Sequence, residues 1–259
     1  MKTNAITAEI IKKGVNIGKL AERAASHPEL LQEAFDGLGA NEARIKYGCL
    51  KLLRIISEKN PSLLYPEIGR FFRLLDSESN IFQWGAIIIV GNLAAVDSAG
   101  KIDAVLDRYL QPISGHVMIT AANVIGAAGK IALAKPHLAD RIARALLQVE
   151  AATYQTEECR NVATGHAIKS FELFFVHLKK PQPVVEFVKR QLNNRRDAVK
   201  KKAARFLKRY APVSKPNNSL SNSRGRLIEH STVEVGTQLP YPGPHRRHQR
   251  VDAGGYGKI

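Results

Sequence analysis

Apolar residues recur through the first four-fifths of the chain at spacings of three, four and seven, the period of a helix that is buried on one side. No convincing strand alternation appears before residue 211. Several of these helical stretches end at a residue that precedes proline, which is disfavoured in the helical conformation. Such breaks occur at 27–28, 60–61, 135–136 and 180–181. The pattern predicts an all-α chain in which helices alternate with short turns.

One phrase recurs five times in the predicted helices: an apolar residue, a small residue four positions later, and an apolar or small residue four after that. The copies are Ile45/Cys49/Leu53, Phe82/Ala86/Val90, Val117/Ala121/Ile125, Cys159/Ala163/Ala167 and Val199/Ala203/Leu207. Their first residues are separated by 37, 35, 42 and 40 positions. Self-similarity at this period predicts a stacked helical repeat rather than one closed core.

The predicted helices pair into successive units of similar length. A long helix and a short one form an atypical first pair that caps the stack, four pairs follow, and a half unit closes the array. Their ranges are 4–25 with 29–38, 41–59 with 62–75, 80–95 with 101–110, 116–134 with 137–151, 157–178 with 184–192, and 196–210 alone.

The character of the chain changes after Tyr210. Residues 211–219 read as a solvated linker, and the segment that follows is rich in Pro, Gly, His and Arg and has no period. Such composition predicts disorder. A second interpretation is that the sequence from about Asn222 is not native to the protein. The expected organisation is therefore a helical repeat domain over 1–210 and a disordered or non-native tail over 211–259.

A hairpin of about 40 residues, with a break after its first helix and a small residue inside that helix, resembles the HEAT repeats of the armadillo-like families. The resemblance covers about residues 16–210 and is closest over 194–204, Asn-Arg-Arg-Asp-Ala-Val-Lys-Lys-Lys-Ala-Ala. It implies a right-handed α-solenoid of about five helical hairpins. In HEAT-like proteins the second helices usually build the concave binding face. The resemblance therefore gives Arg70, Arg73, Arg108, Arg141, Arg144 and Lys189 as concave-face candidates.

The formal net charge of +16 is concentrated near the C-terminus. Residues 168–210 hold 13 Lys/Arg against 3 Asp/Glu, whereas the first 167 residues carry a net charge of only +2. The last predicted helix and its entry turn hold the candidates for anion or nucleic-acid binding: Arg195, Arg196, Lys200, Lys201, Lys202, Arg205, Lys208 and Arg209. One interpretation is a binding site for phosphate groups or an acidic protein. The other is a polar helix that caps the stack and keeps it soluble.

No catalytic, cofactor-binding or metal-binding set stands out in the sequence. Asp103 and Asp107 read as charges on a solvated helix face, and 126–130 reads as close helix packing rather than a phosphate loop. Cys49 and Cys159 read as small buried hydrophobes in a reduced protein. Trp84 is the only tryptophan and is expected to be partly buried. We therefore expect a protein that is not an enzyme and needs no cofactor.

Two functions compete on this sequence. The first is a binding scaffold whose concave face engages a protein partner. The second is nucleic-acid binding through the basic C-terminal helix, with a HEAT-like DNA glycosylase as a less favoured form. A helper of a larger complex, similar to phycobilin lyase-like or phosphatase-regulatory proteins, has no motif for or against it. No secretion signal and no apolar run of about 20 residues is visible, so we expect a cytoplasmic protein without membrane association. The oligomeric state stays open.

Overall fold

A computed structural model describes residues 5–210, which form helices, 3-10 turns and short connections without any strand. The helices are α1 (Ala5–Ile10), α2 (Ile17–Ala25), α3 (Pro28–Asp36), α4 (Ala43–Lys59), α5 (Pro61–Leu64), α6 (Ile68–Leu74), α7 (Asn80–Leu93), α8 (Lys101–Leu110), α9 (Met118–Ala134), α10 (Ala139–Leu147), α11 (Glu157–Phe174), α12 (Gln182–Arg190) and α13 (Asp197–Tyr210). The prediction of an all-α chain is confirmed for these residues. The predicted tail, 211–259, lies outside the described residues.

The first predicted helix, 4–25, is two helices rather than one. Gly14, in the turn that separates α1 from α2, takes a left-handed backbone conformation with φ of 77°, which glycine adopts without steric cost. Asn16 then caps α2, since its side-chain oxygen accepts a hydrogen bond from the backbone N–H of Lys19 at 3.0 Å. The sequence pattern missed this break because apolar residues on both sides of Gly14 keep a roughly helical spacing.

The predicted helix over 62–75 is also divided, into α5 and α6. The 3-10 turn Tyr65–Glu67 lies between them and contains Pro66. Proline has no backbone N–H to donate and crowds the preceding turn, so it interrupts a continuous α-helix. The division leaves the apolar side chains of both pieces, Leu64, Ile68 and Phe71, in the core.

The helices pack against their neighbours in chain order. The first helix of each pair contacts the first helix of the next, in the sequence α2, α4, α7, α9, α11, α13. We call these the first helices. The second helices, α3, α6, α8, α10 and α12, pack against them, and α10 also contacts α12. First and second helices therefore share one hydrophobic core.

The small residue at the centre of the repeated phrase is buried in every copy. Cys49, Ala86, Ala121, Ala163 and Ala203 are all fully buried. Small side chains at such positions let helix axes come closer than leucine would allow. The first position of the phrase is less regular: Val117 precedes α9 instead of opening it and is 42% exposed. Cys159, expected to be buried, is only partly buried and packs against the core, whereas Cys49 is buried.

Candidate binding surfaces

Three of the six cations predicted for the concave face are held by carboxylates. Arg70 pairs with Glu67 on the same turn of chain at 2.6 Å. Arg108 of α8 reaches back to Asp76, and Arg141 of α10 reaches back to Asp107 of α8, at 3.1 and 2.5 Å. The charges of all three arginines are therefore balanced within the protein, and the pair of Arg141 with Asp107 joins α10 to α8.

The other three cations on this face, Arg73, Arg144 and Lys189, are exposed and have no hydrogen-bond or ion-pair partner among residues 5–210. The sequence reasoning omitted Arg190 from this face. Its guanidinium makes two hydrogen bonds, at 3.1 and 2.7 Å, to Glu150 at the end of the preceding pair. Within this layer, Arg144 is therefore a free cation beside the paired Arg141.

An open groove of about 400 Å³ lies between α8 and α10 beside Arg144. Its lining combines charged, amide and apolar side chains: Asp107, Leu110, Gln111, Ile113, Ser114, Arg141, Arg144, Ala145 and Gln148. The groove thus offers an unpaired guanidinium next to an apolar wall.

Half of the predicted basic cluster at α13 is neutralised by ion pairs. Two of them run to the start of α11, from Arg195 to Glu157 at 2.8 Å and from Arg196 to Glu158. Lys200 pairs with Asp197 at 3.1 Å, and Arg205 pairs with Glu172 of α11 at 3.3 Å. The cluster is therefore less cationic than its sequence indicates. Three of the four pairs also join α13 or its entry turn to the neighbouring first helix, α11.

The remaining four basic residues of this set have different surroundings. The ammonium of Lys202 donates to the backbone carbonyl of Gly165 at 3.0 Å, and Arg209 lies over the ring of Tyr210 with 5.2 Å between them. Lys201 and Lys208 are exposed and have no partner among the described residues. These two side chains fit the interpretation of a solvated, solubilising surface.

A second group of cations forms where α11 meets α13, and we call it the α11–α13 cluster. It consists of His166, Lys169, Arg196, Lys202 and Arg205. Burial lowers the pKa of Lys202, and the charges of Lys169, Arg205 and Arg196 lower it further against the opposing effect of Glu172. Burial also lowers the pKa of His166 from 6.5 to about 4, assisted by Lys202, Lys169 and Arg196, so the ring is neutral near pH 7.

The sequence reasoning missed the two members of this cluster that lie on α11, His166 and Lys169. Lys169 precedes Lys202 by 33 residues and Arg205 by 36, close to one repeat period. Residues one period apart on stacked helices are neighbours. The sequence spacing of Lys169 from Lys202 and Arg205 was therefore a signal that could have predicted this cluster.

A buried polar network connects three consecutive pairs at their turns. Lys135 lies between Asp97 and Asp103, with N–O distances of 3.1 and 2.5 Å, and its side chain is only 9% exposed. Tyr65 donates to Asp97 at 2.6 Å, and His137 contacts Asp103 at 2.5 Å. Asp103, expected on a solvated helix face, is thus only partly exposed and held by two partners, whereas the side chain of Asp107 is 80% exposed.

Hydrogen bonds and opposite charges in this network outweigh the effect of burial on the pKa values of Asp97 and Lys135. Burial alone would raise the pKa of Asp97, but hydrogen bonds from Tyr65, Lys135 and the backbone N–H groups at the start of α8 hold it below 3.8. Burial alone would lower the pKa of Lys135, but the carboxylates of Asp103 and Asp97 hold it above 10.5. A lysine kept charged in this way is a structural cation and a poor nucleophile.

Three further features of the described residues bear on candidate function. Trp84 is partly buried, as expected, and its indole N–H donates to Thr120 at 2.8 Å, so it joins α7 to α9. Between residues 5 and 210, no three His, Cys, Asp or Glu side chains converge as metal ligands would. Every helix in this part of the chain is too short or too polar to cross a lipid bilayer.

Comparison with known proteins gives information on the fold and none on function. No protein-family model matches the sequence, and no curated protein sequence matches it. The structure is similar to the crystal structure of an engineered protein from the Northeast Structural Genomics Consortium, with a TM-score of 0.50 and 13% identity. The match covers 81% of this chain and 97% of the other. At this identity the likeness concerns chain path and carries no information on activity.

Proposed function

We propose that residues 5–210 form a right-handed, HEAT-like α-solenoid of about five helical hairpins that acts as a non-enzymatic scaffold for a protein partner. The order of contacts supports the stack, since each first helix contacts the next. Hydrogen bonds at near-constant sequence separation support the repeat: Asn92 to Ser57, Trp84 to Thr120 and Lys130 to Asn92 span 35, 36 and 38 residues. A stack of this kind presents an extended surface on which a partner binds.

The groove between α8 and α10 is the observation that carries the proposal. It joins the unpaired guanidinium of Arg144 to an apolar wall at Leu110 and Ala145. A partner that places a carboxylate near Arg144 and an apolar side chain against Leu110 satisfies both features. The other arginine of the groove, Arg141, is held by Asp107 and shapes the wall.

Peptide selection on the full chain tests the proposal. A library of random peptides is panned against the 259-residue protein, and the selected peptides are measured again with Arg144→Glu. Lys208→Glu is the matched control, because it makes the same charge change at an exposed site of α13. We expect selected peptides to contain an acidic residue beside an apolar one, and to lose at least tenfold in affinity with Arg144→Glu only.

Two outcomes count against this binding face. Peptides that bind both variants equally bind elsewhere, and peptides that lose affinity equally with both variants respond to net charge. Failure to select any saturable binder at low salt also contradicts the proposed scaffold role.

A further inference from the structure

The α11–α13 cluster collects charge from two neighbouring first helices onto one patch. Lys202 is partly buried, and its ammonium is fixed by the carbonyl of Gly165. Lys169 lies near enough to lower the pKa values of both Lys202 and His166. The cations therefore hold a crowded arrangement that a solubilising surface does not require, because like charges repel each other.

The acidic groups that face this patch balance only part of its charge. Glu158 pairs with Arg196, and Glu172 pairs with Arg205. No carboxylate of the described residues lies within ion-pair distance of Lys202. Arg196 and Arg205 are balanced in this way, whereas Lys202 keeps a positive charge on the patch that an anion can satisfy.

We propose that the α11–α13 cluster is a phosphate-binding site for the backbone of a nucleic acid. Phosphate oxygens accept hydrogen bonds from ammonium and guanidinium groups, and phosphate contacts position a protein without reading sequence. Two neighbouring helices, α11 and α13, both contribute cations to the cluster, which suits a polymer that carries many phosphate charges.

The form of the patch favours a polymer over an acidic lipid surface. A membrane attracts long basic side chains that protrude and move freely. Lys202 is instead recessed against α11 and hydrogen-bonded to it. The site is also separate from the groove between α8 and α10, so it goes beyond the proposed protein-binding role and does not depend on it.

Duplex binding by the full chain tests this site. A fluorescent 20-base-pair DNA is titrated with the wild-type protein and with the double variant Lys169→Gln/Lys202→Gln at several salt concentrations. We expect saturable, salt-steep binding by the wild type and a loss of about tenfold or more at low salt in the double variant. The slope of log K against log salt is expected to fall in magnitude by about 2, as two phosphate contacts are removed.

Lys201→Gln/Lys208→Gln is the matched control, because it removes the same charge from exposed positions of α13. It should bind the duplex within about twofold of the wild type. Equal losses in both double variants would assign the binding to the net charge of +16 and overturn the proposal. Absence of saturable duplex binding, or binding only to vesicles that contain phosphatidylserine, would overturn it as well.

A measurement on the unmodified protein keeps the site testable if the double variant does not fold. The ring protons of His166 are followed by NMR as duplex is added. Phosphates bound at the cluster should shift these signals and raise the pKa of His166 from about 4. Duplex binding that leaves His166 unchanged places the nucleic acid elsewhere and contradicts the proposal. If Arg144→Glu leaves duplex binding unchanged, the duplex does not bind at the groove between α8 and α10.

Discussion

At the scale of single residues, the environment of each charge decides its role more than its type does. Lys135 is buried and Lys202 is partly buried. Lys135 contacts two carboxylates, whereas Lys202 has none within ion-pair distance among the described residues. Carboxylate partners give Lys135 a structural role, whereas Lys202 has cations around it, and under the proposed phosphate site its charge is available to a ligand. Two lysines that the sequence does not distinguish therefore have different surroundings.

Replacement of Lys135 tests the structural role. Lys135→Met leaves the fully buried carboxylate of Asp97 without its cation, so the free energy of unfolding in urea should fall by about 3 kcal/mol. Lys189→Met, at an exposed residue without a partner among residues 5–210, is the control and should change stability by less than about 0.5 kcal/mol. The double variant Lys135→Met/Asp97→Asn should recover part of the loss. A loss below about 1 kcal/mol in Lys135→Met contradicts this account of the network.

Two glycines of α9 give a matched test of close helix approach. A methyl group at Gly129 would collide with the hydroxyl of Ser170 and come within 3.1 Å of Leu173, whereas one at Gly126 meets nothing within 4 Å. Gly129→Ala should therefore destabilise the protein by about 1–3 kcal/mol. Gly126→Ala should stabilise it by about 0.5–1 kcal/mol through helix propensity. Thermal unfolding of both variants measures the difference, and equal effects would show that α9 and α11 do not approach as described.

At the scale of elements, α13 is held against α11 by aromatic packing on one side. Phe206 is fully buried, with its ring centroid 5.1 Å from that of Phe175 and 4.8 Å from that of Tyr210. The hydroxyl of Tyr210 donates to the backbone carbonyl of Glu172 at 3.0 Å. No first helix among the described residues packs on the other side of α13. Its attachment therefore depends on a few large side chains.

Phe206→Ala tests this dependence. The substitution should cost about 3–5 kcal/mol of local packing. Hydrogen exchange should become faster in α13 and at the end of α11, while the amides of α4 and α7 keep their wild-type protection. Lys208→Ala on the solvent side is the control and should leave exchange unchanged. Faster exchange throughout residues 5–210 would mean that α13 is part of a single cooperative core.

At the scale of the whole molecule, contacts between first helices run only between neighbours in the chain. Under the proposed solenoid, stability is then a sum of unit stabilities and nearest-neighbour terms. Inner helices such as α9 have a first helix on each side, whereas α13 has one. The stack should therefore open from its ends.

Native-state hydrogen exchange of the wild-type protein measures this gradient. We expect the slowest amides in α7, α9 and α11, with opening free energies that fall toward α2 and α13. Mass spectrometry of peptic fragments at several times resolves these segments. One common opening free energy for all buried helices would contradict the solenoid and favour a closed core.

The sequence by itself determined the helical class, the pairing of helices, most breaks at proline and the small buried centre of each phrase. These features arise from local rules: the 3.6-residue period, the backbone limits of proline and the size of alanine. Tertiary structure decided which cations are paired with carboxylates and which are not. The partners of Arg108, Arg141, Arg196 and Arg205 lie 32–38 residues away in the sequence. It also placed Lys135 between two aspartates and His166 beside Lys202. Those contacts depend on the register between stacked units, and a local pattern of polar and apolar positions does not specify that register.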